Sequence, residues 1–265
     1  FKWSVTSQLT FDATMNTDFS QVEVDEVRTN LTRFSLFFPE KRDFFLENQS
    51  VFSWGPSSGG GGGHRAPDVL PFFSRNIGLH EGEIVPIHGG ARLTGRAGRY
   101  SLGIMSMQTS DFWTSEELDD EGNVEEESEY LPSTNFTVVR VKRDIFSRSE
   151  IGGIIVSKDS AGPEFNRTYG FDSSFNFFNY LDINAYALKT ESGDGTEDDY
   201  SGSLSARWRD DFWNIGASHL RIGDNFNPEV GFVPRTGMYR SSGEFGITKR
   251  PRGSIPWVRE YGPEV

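Results

Sequence analysis

Apolar and polar side chains alternate with a period of two along most of the chain after residue 88. In the segment 200–209, for example, Leu204 and Trp208 have one parity, whereas Ser205 and Arg207 have the other. This is the period of a β-strand with one apolar face. The pattern predicts an antiparallel meander of about ten strands. They lie near residues 1–13, 89–97, 99–109, 134–143, 149–157, 167–177, 180–189, 200–209, 212–222 and 237–249.

The connections between the predicted strands are of two kinds, and the two kinds alternate along the chain. Because successive connections of a meander lie at opposite ends, all short turns fall at one end and all long loops at the other. This asymmetry is typical of an outer-membrane β-barrel with short periplasmic turns. The short turns are 97–100, 145–150, 176–180 and 209–214, and the long, polar connections are 110–133, 158–166, 190–199 and 223–236.

The placement of aromatic rings also favours the barrel. Phe146, Phe178, Trp208 and Trp213 lie in or beside the short turns, where an aromatic girdle would meet a membrane interface. In a soluble β-sandwich the same rings would close the ends of the core, and strand alternation alone fits both folds. We therefore expect an all-β chain forming an antiparallel up-and-down transmembrane β-barrel, with the sandwich as the alternative.

A long irregular insertion interrupts the predicted meander. Residues 31–54 contain seven phenylalanine and tryptophan rings around the charged run 40–43, and they follow neither the strand nor the helix period. We expect residues 1–17 to form the first barrel strand, 18–87 to plug or cap the barrel, and 88–265 to form a meander that continues beyond the chain. The residues expected to anchor the plug or cap are Arg33, Glu40, Lys41, Arg42 and Asp43.

Composition and charge exclude several classes of function. The 265 residues carry a net charge of -13, which argues against a nucleic-acid partner because binding a duplex requires a basic face. The chain contains no cysteine, so disulfides and thiolate chemistry are excluded. No apolar run reaches the length of a transmembrane helix.

A set of basic residues has the polar parity of its strands and is therefore expected to face the lumen. One interpretation is a path for an anion or an acidic glycan, because fixed positive charge favours anions. The favoured interpretation is that these residues pair with insertion acids such as Glu23, Asp25, Glu26 and Glu40, because confined charges normally find partners. The basic residues are Arg92, Arg96, Arg140, Lys142, Arg207 and Arg209.

No motif in the sequence indicates an enzyme, a metal site or a cofactor. His64, His80 and His88 are sixteen and eight residues apart, a spacing that places them on no common helix or strand face for zinc. The acidic loops lack the ligand spacing of a calcium loop. No serine-hydrolase elbow, phosphate loop or zinc-protease motif is present. A hydrolase acting through its acidic loops remains a weaker alternative.

Three ordered segments resemble a known family. The segments "NLTRFSLFFPEKRDFFLE" (30–47), "FFSRNIGL" (72–79) and "GGARLTGR" (89–96) are similar to the start of a bacterial outer-membrane β-barrel family of unknown function. Its members usually carry a family-9-type carbohydrate-binding domain before the barrel. The resemblance implies that this chain is the N-terminal part of such a barrel, located in the bacterial cell outer membrane.

The expected function is that of a non-enzymatic outer-membrane channel or a protein that handles a ligand at the surface. The alternative is a soluble or surface-exposed β-sandwich that binds carbohydrate. The expected partners are outer-membrane lipid, a glycan or small anionic ligand, and other outer-membrane or periplasmic proteins. The association with glycans rests on the resemblance alone.

Overall fold

Eleven strands form one antiparallel sheet in which neighbours along the chain are also neighbours in the sheet. The structure, a computed structural model, describes residues 1–16, 37–55, 68–80, 82–114, 117–118, 124–126, 128–193, 195 and 199–248. The strands of the main sheet are β1 Lys2–Thr6, β2 Leu9–Met15, β3 Ile87–Ala97, β4 Tyr100–Thr109, β5 Thr134–Ile145, β6 Ser149–Ser160, β7 Phe165–Phe177, β8 Leu181–Ser192, β9 Tyr200–Arg209, β10 Trp213–Ile222 and β11 Met238–Ile247.

The remaining elements of the described residues are short. They are the helix α1 Asp43–Leu46, the 3-10 helices Gln49–Phe52 and Ser74–Asn76, and the paired strands Leu79–His80 with Glu83–Ile84, Phe112–Trp113 with Tyr130–Leu131, and Glu117–Leu118 with Val124–Glu126. The prediction of an all-β, antiparallel chain is therefore confirmed. None of these helices is long and apolar enough to cross a membrane.

The first predicted strand, over residues 1–13, is a hairpin of two strands. Trp3 pairs with Phe11, and the turn lies at residues 7–8, where the Gln8 N–H donates to Thr6 Oγ1 over 3.3 Å. Residues 2–4 pair with residues 10–12 of the same parity, and the register shifts only next to the turn, where Thr6 pairs with Leu9. The alternation of the sequence therefore continues from one strand into the other. The alternation therefore looks like that of one strand.

One face of the main sheet exposes apolar side chains, whereas a soluble sandwich would bury its apolar face. We call the face that contacts residues 37–55, 68–80 and 82–86 the inner face, and the other the outer face. Apolar side chains of the outer face are solvent-exposed, with exposed fractions of 57% for Leu204, 55% for Phe171 and 49% for Ile155. The alternate residues that the sequence identified as the apolar set therefore lie on the exposed outer face.

The inner face is apolar at one end and polar at the other. The end that carries the long connections (the loop end) holds a cluster of buried side chains, whereas the end with the short turns (the turn end) carries charges such as Arg96, Asp144, Arg207 and Glu244. The buried cluster includes Ile87, Met105, Met107, Phe136, Val138, Ile154, Val156, Leu188, Leu220 and Ile222.

The edge strands of the sheet are β1 and β11. Within the described ranges no ladder joins them to each other. Each of the nine strands between them is paired on both sides, and the short turns follow the predicted positions at 98–99, 146–148, 178–180 and 210–212.

We predict that Gly95→Ala separates the N-terminal hairpin from β3. Gly95 has φ +147°, and a Cβ there would lie 2.0 Å from the Gln8 carbonyl oxygen and 2.8 Å from Leu9 Cα. Backbone atoms cannot move aside cheaply, so the substitution should lower the free energy of unfolding by about 2–3 kcal/mol. Urea unfolding measures the loss.

The matched control is Gly153→Ala in β6, where the added Cβ would have only the Gly170 carbonyl oxygen nearby, at 3.6 Å. We expect its effect to stay within about 0.5 kcal/mol. Equal effects of the two substitutions would contradict the close approach at Gly95.

Candidate functional site

The insertion between β2 and β3 lies on the inner face. We use this name for its described segments 37–55, 68–80 and 82–86. Phe45 and Phe52 are buried in the same cluster as Met105, Val138 and the other inner-face residues. Burying rings against apolar strand residues removes both surfaces from water, which is the main attraction between the insertion and the sheet.

Arg92 of β3 joins the insertion to the first strands of the sheet. Its side chain is buried, and Nη2 donates to Asp12 Oδ2 over 3.0 Å, directly across the strand pair. Nη1 donates to the carbonyl oxygens of Phe44 and Glu47, at the end of α1. Those carbonyls have no partner within a helix of four residues. The guanidinium therefore donates hydrogen bonds both to carbonyl oxygens at the end of α1 and to the carboxylate of β2.

Arg140 of β5 forms the second buried connection. It makes a bidentate pair with Asp172 of β7, with distances of 2.6 Å and 2.7 Å, and its Nε donates to the Ser53 carbonyl oxygen over 3.1 Å. Gly152 of β6 lies between the two side chains, where a Cβ would be 2.6 Å from Asp172 Oδ1. Glycine at this position lets the pair form across an intervening strand.

In the charged run 40–43, Glu40 and Arg42 bind each other and residues of the segment 68–80. Glu40 is buried, and its carboxylate accepts from Arg42 Nε over 2.8 Å, from Arg42 Nη2 over 2.7 Å and from the Ser74 hydroxyl over 2.7 Å. Arg42 also donates to the carbonyl oxygens of Ser74 and Ile77. Burial raises the pKa of Glu40, but the hydrogen bonds and charge of Arg42 outweigh it, so the pKa lies below its ordinary value.

The second segment of the insertion is held by the connection between β10 and β11. The Phe73 N–H donates to the Val230 carbonyl oxygen over 2.7 Å, and Leu70 forms a backbone bridge with Phe232. Asp68 pairs with Arg240 of β11. The insertion therefore contacts the inner face from the first strands of the sheet to the last.

The structure places the remaining sequence-predicted residues as follows. Arg96 pairs with Asp144 at 2.7 Å, and Arg207 pairs with Glu244 at 2.9 Å, both at the turn end. The Lys142 ammonium lies 3.2 Å from the Ser53 hydroxyl. Arg209 is exposed at the end of β9.

The other residues predicted to anchor the insertion have these positions. The Lys41 backbone N–H donates to Glu40 Oε1 over 3.0 Å, and Asp43 is exposed in the first turn of α1. Arg33 lies outside the described residues.

Within the described residues, the carboxylate partners of Arg92, Arg96, Arg140 and Arg207 are strand residues, and Glu47 of the insertion also lies 3.4 Å from Arg92. Glu23, Asp25 and Glu26 lie outside the described residues, and Glu40 pairs with Arg42. The strand partners Asp12, Asp144, Asp172 and Glu244 have inward parity. That parity was the one sequence signal that could have identified them.

Of the cavities lined by described residues of the insertion, two lie against the inner face. The cavity at the turn end has a volume of about 420 Å³, and its lining includes Glu150, Asp182, Ser205 and the Arg207–Glu244 pair. The other lies within the insertion and has a volume of about 470 Å³. Among the described residues, no group of three histidine or carboxylate side chains is placed to hold a metal ion.

We predict that Glu40→Gln loosens the insertion. An amide cannot accept two charge-assisted hydrogen bonds from Arg42, so residues 37–55 should lose about 2–3 kcal/mol of protection against hydrogen exchange. Because the pKa of Glu40 is depressed in the folded protein, its contribution is complete above the ordinary glutamate value of 4.5 and is lost as pH falls from there through the depressed pKa. The variant should lack this pH dependence.

The control for this prediction is Asp43→Asn, because Asp43 is exposed in the same segment. It should change protection by about 0.5 kcal/mol or less. If Glu40→Gln and the unmodified protein lose protection at the same pH, the role of the Glu40 carboxylate is contradicted.

Comparison with known proteins adds one similarity. No curated protein and no solved structure matches the chain. The model of a family described as a domain of unknown function (DUF5916) matches residues 1–56, which include β1, β2, α1 and the first described segment of the insertion.

Proposed function

We propose that the chain forms part of the wall, and the plug, of an outer-membrane β-barrel that passes or handles a ligand without enzymatic chemistry. The observation that carries this proposal is the exposure of the apolar face. Leu204, Ile215 and Phe245 are 57%, 44% and 47% exposed on neighbouring strands β9, β10 and β11. A large contiguous apolar surface indicates contact with lipid or a partner.

The soluble β-sandwich would place these side chains differently. Its apolar faces would point into a core, and its polar faces would point to water. Here the polar parity faces the insertion, and Arg92, Arg140, Asp172 and Thr168 are all buried on that side. This arrangement supports a sheet that has lipid outside and polar groups inside.

Aromatic side chains at both ends of the sheet add support. Phe146 and Phe178 are 74% and 77% exposed at the short turns, and Trp113 and Tyr239 are 63% and 67% exposed toward the loop end. Exposed rings at both margins of an apolar band are the arrangement expected at the two interfaces of a bilayer.

The proposal requires both edges of the sheet to be paired. Unpaired strand edges are not stable within hydrocarbon, because their backbone N–H and C=O groups would lack partners. The edge strands β1 and β11 must therefore pair with each other or with further strands of the same protein. A twisted sheet of eleven strands already favours strong curling.

The insertion is the plug in this proposal. It occupies the inner face through the apolar cluster at the loop end and through Arg92 and Arg140. The pairing of Arg92, Arg96, Arg140 and Arg207 with carboxylates supports an anchoring and structural role over an open path for anions. Passage of a ligand would then require displacement of the insertion.

Single spin labels on the complete protein in liposomes test the proposal. These 265 residues contain no cysteine, so each label is attached to one cysteine introduced into them. Leu204→Cys and Ile215→Cys label the outer face, and their matched controls Ser205→Cys and Ser218→Cys label the inner face. We expect the outer labels to collide with oxygen, which concentrates in lipid, and to be shielded from a water-soluble nickel chelate.

The inner labels should show the reverse preference, because Ser205 and Ser218 line the polar cavity at the turn end. Equal access of the nickel chelate to all four labels would contradict a lipid-facing outer surface. So would a monodisperse complete protein in plain buffer without detergent.

A further inference from the structure

Three arginines lie at the turn end, in or beside two adjacent short turns. Arg99 is in the turn between β3 and β4, Arg148 is in the turn between β5 and β6, and Arg143 is close to the end of β5. We call these three residues the turn-end arginines. The Asp144 N–H donates to the Arg99 carbonyl oxygen over 2.9 Å, so the two turns lie side by side. Given the spacing of strands in a sheet, the centres of the two turns are roughly 10 Å apart.

The turn-end arginines are exposed, and within the described residues none of them has a carboxylate partner. The Arg143 guanidinium lies 5.3 Å from the centre of the Tyr100 ring, and Arg148 Nη1 donates to Asn179 Oδ1 over 3.0 Å. Neither contact balances a charge. The neighbouring acid along the chain, Asp144, is already paired with Arg96. The surface around these two turns is therefore positively charged.

Outward-facing cations at the loop end have protein partners instead. Arg167 Nη2 lies 3.3 Å from Asp159 Oδ1, and Lys189 Nζ lies 3.7 Å from Asp199 Oδ2. Lys189 pairs across the strands with Tyr169, which is 38% exposed on the outer face. The same outer face therefore supplies carboxylates to its cations at one end and leaves its cations unbalanced at the other.

Two exposed phenylalanines occupy strained backbone positions at the turn end. Phe146 and Phe178 lie in neighbouring short turns, each with φ +57°, in the left-handed region that favours glycine and asparagine. The two residues are 74% and 77% exposed, so burial within the described part of the chain compensates little for this strain. Strained side chains that the fold does not need point to a contact outside the chain.

We propose that the turn-end arginines, together with Phe146 and Phe178, bind the headgroup of an anionic phospholipid. The guanidinium groups donate hydrogen bonds to the phosphate, and the rings enter the boundary between headgroups and acyl chains. This inference rests on the proposed function, because it takes the outer face as the lipid-facing one. It adds the class of lipid that one margin of that face selects.

The surface distinguishes anionic phospholipids from zwitterionic ones. The phosphate of phosphatidylcholine has a cationic group in its own headgroup, whereas phosphatidylglycerol carries an unbalanced negative charge. A basic side chain at a membrane surface strengthens the binding of anionic lipid by about fivefold. The net charge of -13 on the whole chain repels the same lipid, so a preference for it has to arise locally, at the turn end.

Native mass spectrometry of the complete protein tests this preference. The protein is released from a neutral detergent that contains equal amounts of phosphatidylglycerol and phosphatidylcholine, and the retained lipid is counted. We expect phosphatidylglycerol to be retained with about tenfold preference. The double variant Arg143→Gln with Arg148→Gln should lower that preference several-fold.

The control matched in charge is the double variant Arg167→Gln with Lys189→Gln. It also removes two positive charges from the outward side of the sheet, but these cations already have the partners Asp159 and Asp199. It should retain phosphatidylglycerol like the unmodified protein. An equal loss in the two double variants would show that net charge alone controls retention, and it would overturn the proposal.

Phe146→Asn separates a lipid contact from a structural role of the ring. Asparagine adopts the left-handed region more readily than phenylalanine does. The thermal unfolding midpoint in detergent should therefore stay the same or rise, while retention of phosphatidylglycerol falls. A lower midpoint with unchanged retention would assign the ring to the fold and contradict its contact with lipid.

Three further results would overturn the proposal. The first is equal retention of both lipids, and the second is displacement of phosphatidylglycerol by an equal concentration of inorganic phosphate, which would indicate a site for a soluble anion. The third is a dimer that dissociates in Arg143→Gln with Arg148→Gln, which would assign the surface to a second copy of the chain. If the spin labels find a lipid-facing outer surface and the two lipids are retained equally, the lipid preference fails and the proposed function stands.

Discussion

Two arginines buried on the inner face, Arg92 and Arg140, determine how the insertion sits on the sheet. A buried guanidinium requires a carboxylate to balance its charge and acceptors for its remaining N–H groups. The strands supply the buried carboxylates, Asp12 and Asp172. The insertion supplies backbone carbonyls such as that of Ser53 and, at 3.4 Å from Arg92, the exposed carboxylate of Glu47. The insertion is thus positioned mainly by main-chain oxygens, whose placement depends on its local fold.

Because the insertion binds the two arginines mainly through backbone carbonyls, hydrogen bonds within the insertion must hold those carbonyls in place. Backbone carbonyls can reach the two arginines only if the segment around α1 keeps its shape. The Glu40–Arg42 pair and its contacts with Ser74 and Ile77 join segment 37–55 to segment 68–80. Apolar packing of Phe45 and Phe52 then holds the formed unit against the loop end of the sheet.

The sequence predicted the strands and turns well because their signals are local. Alternation defined the strands, and the short connections appeared where the structure has its turns. The N-terminal hairpin was missed because its pairing preserves parity across the turn at residues 7–8.

The partners of the arginines were missed for a different reason. Pairing of Arg140 with Asp172 depends on the register of β5, β6 and β7 and on Gly152 between them. No pattern within a single strand carries that information. The sequence suggested acids of the insertion as partners because confined charges normally find partners, but that rule does not say which charges meet across a sheet.

The segment 31–54 combines rings with charges because its described part has to satisfy two surfaces. Phe45 and Phe52 pack on the inner side of the sheet, which is apolar at the loop end. Glu40 and Arg42 bind Ser74 and Ile77 in the second segment of the same insertion. A regular strand or helix would present one repeating face, and neither could meet both requirements within so few residues. The absence of a period is therefore the sequence signature of a segment that packs on a sheet without joining its strand ladder.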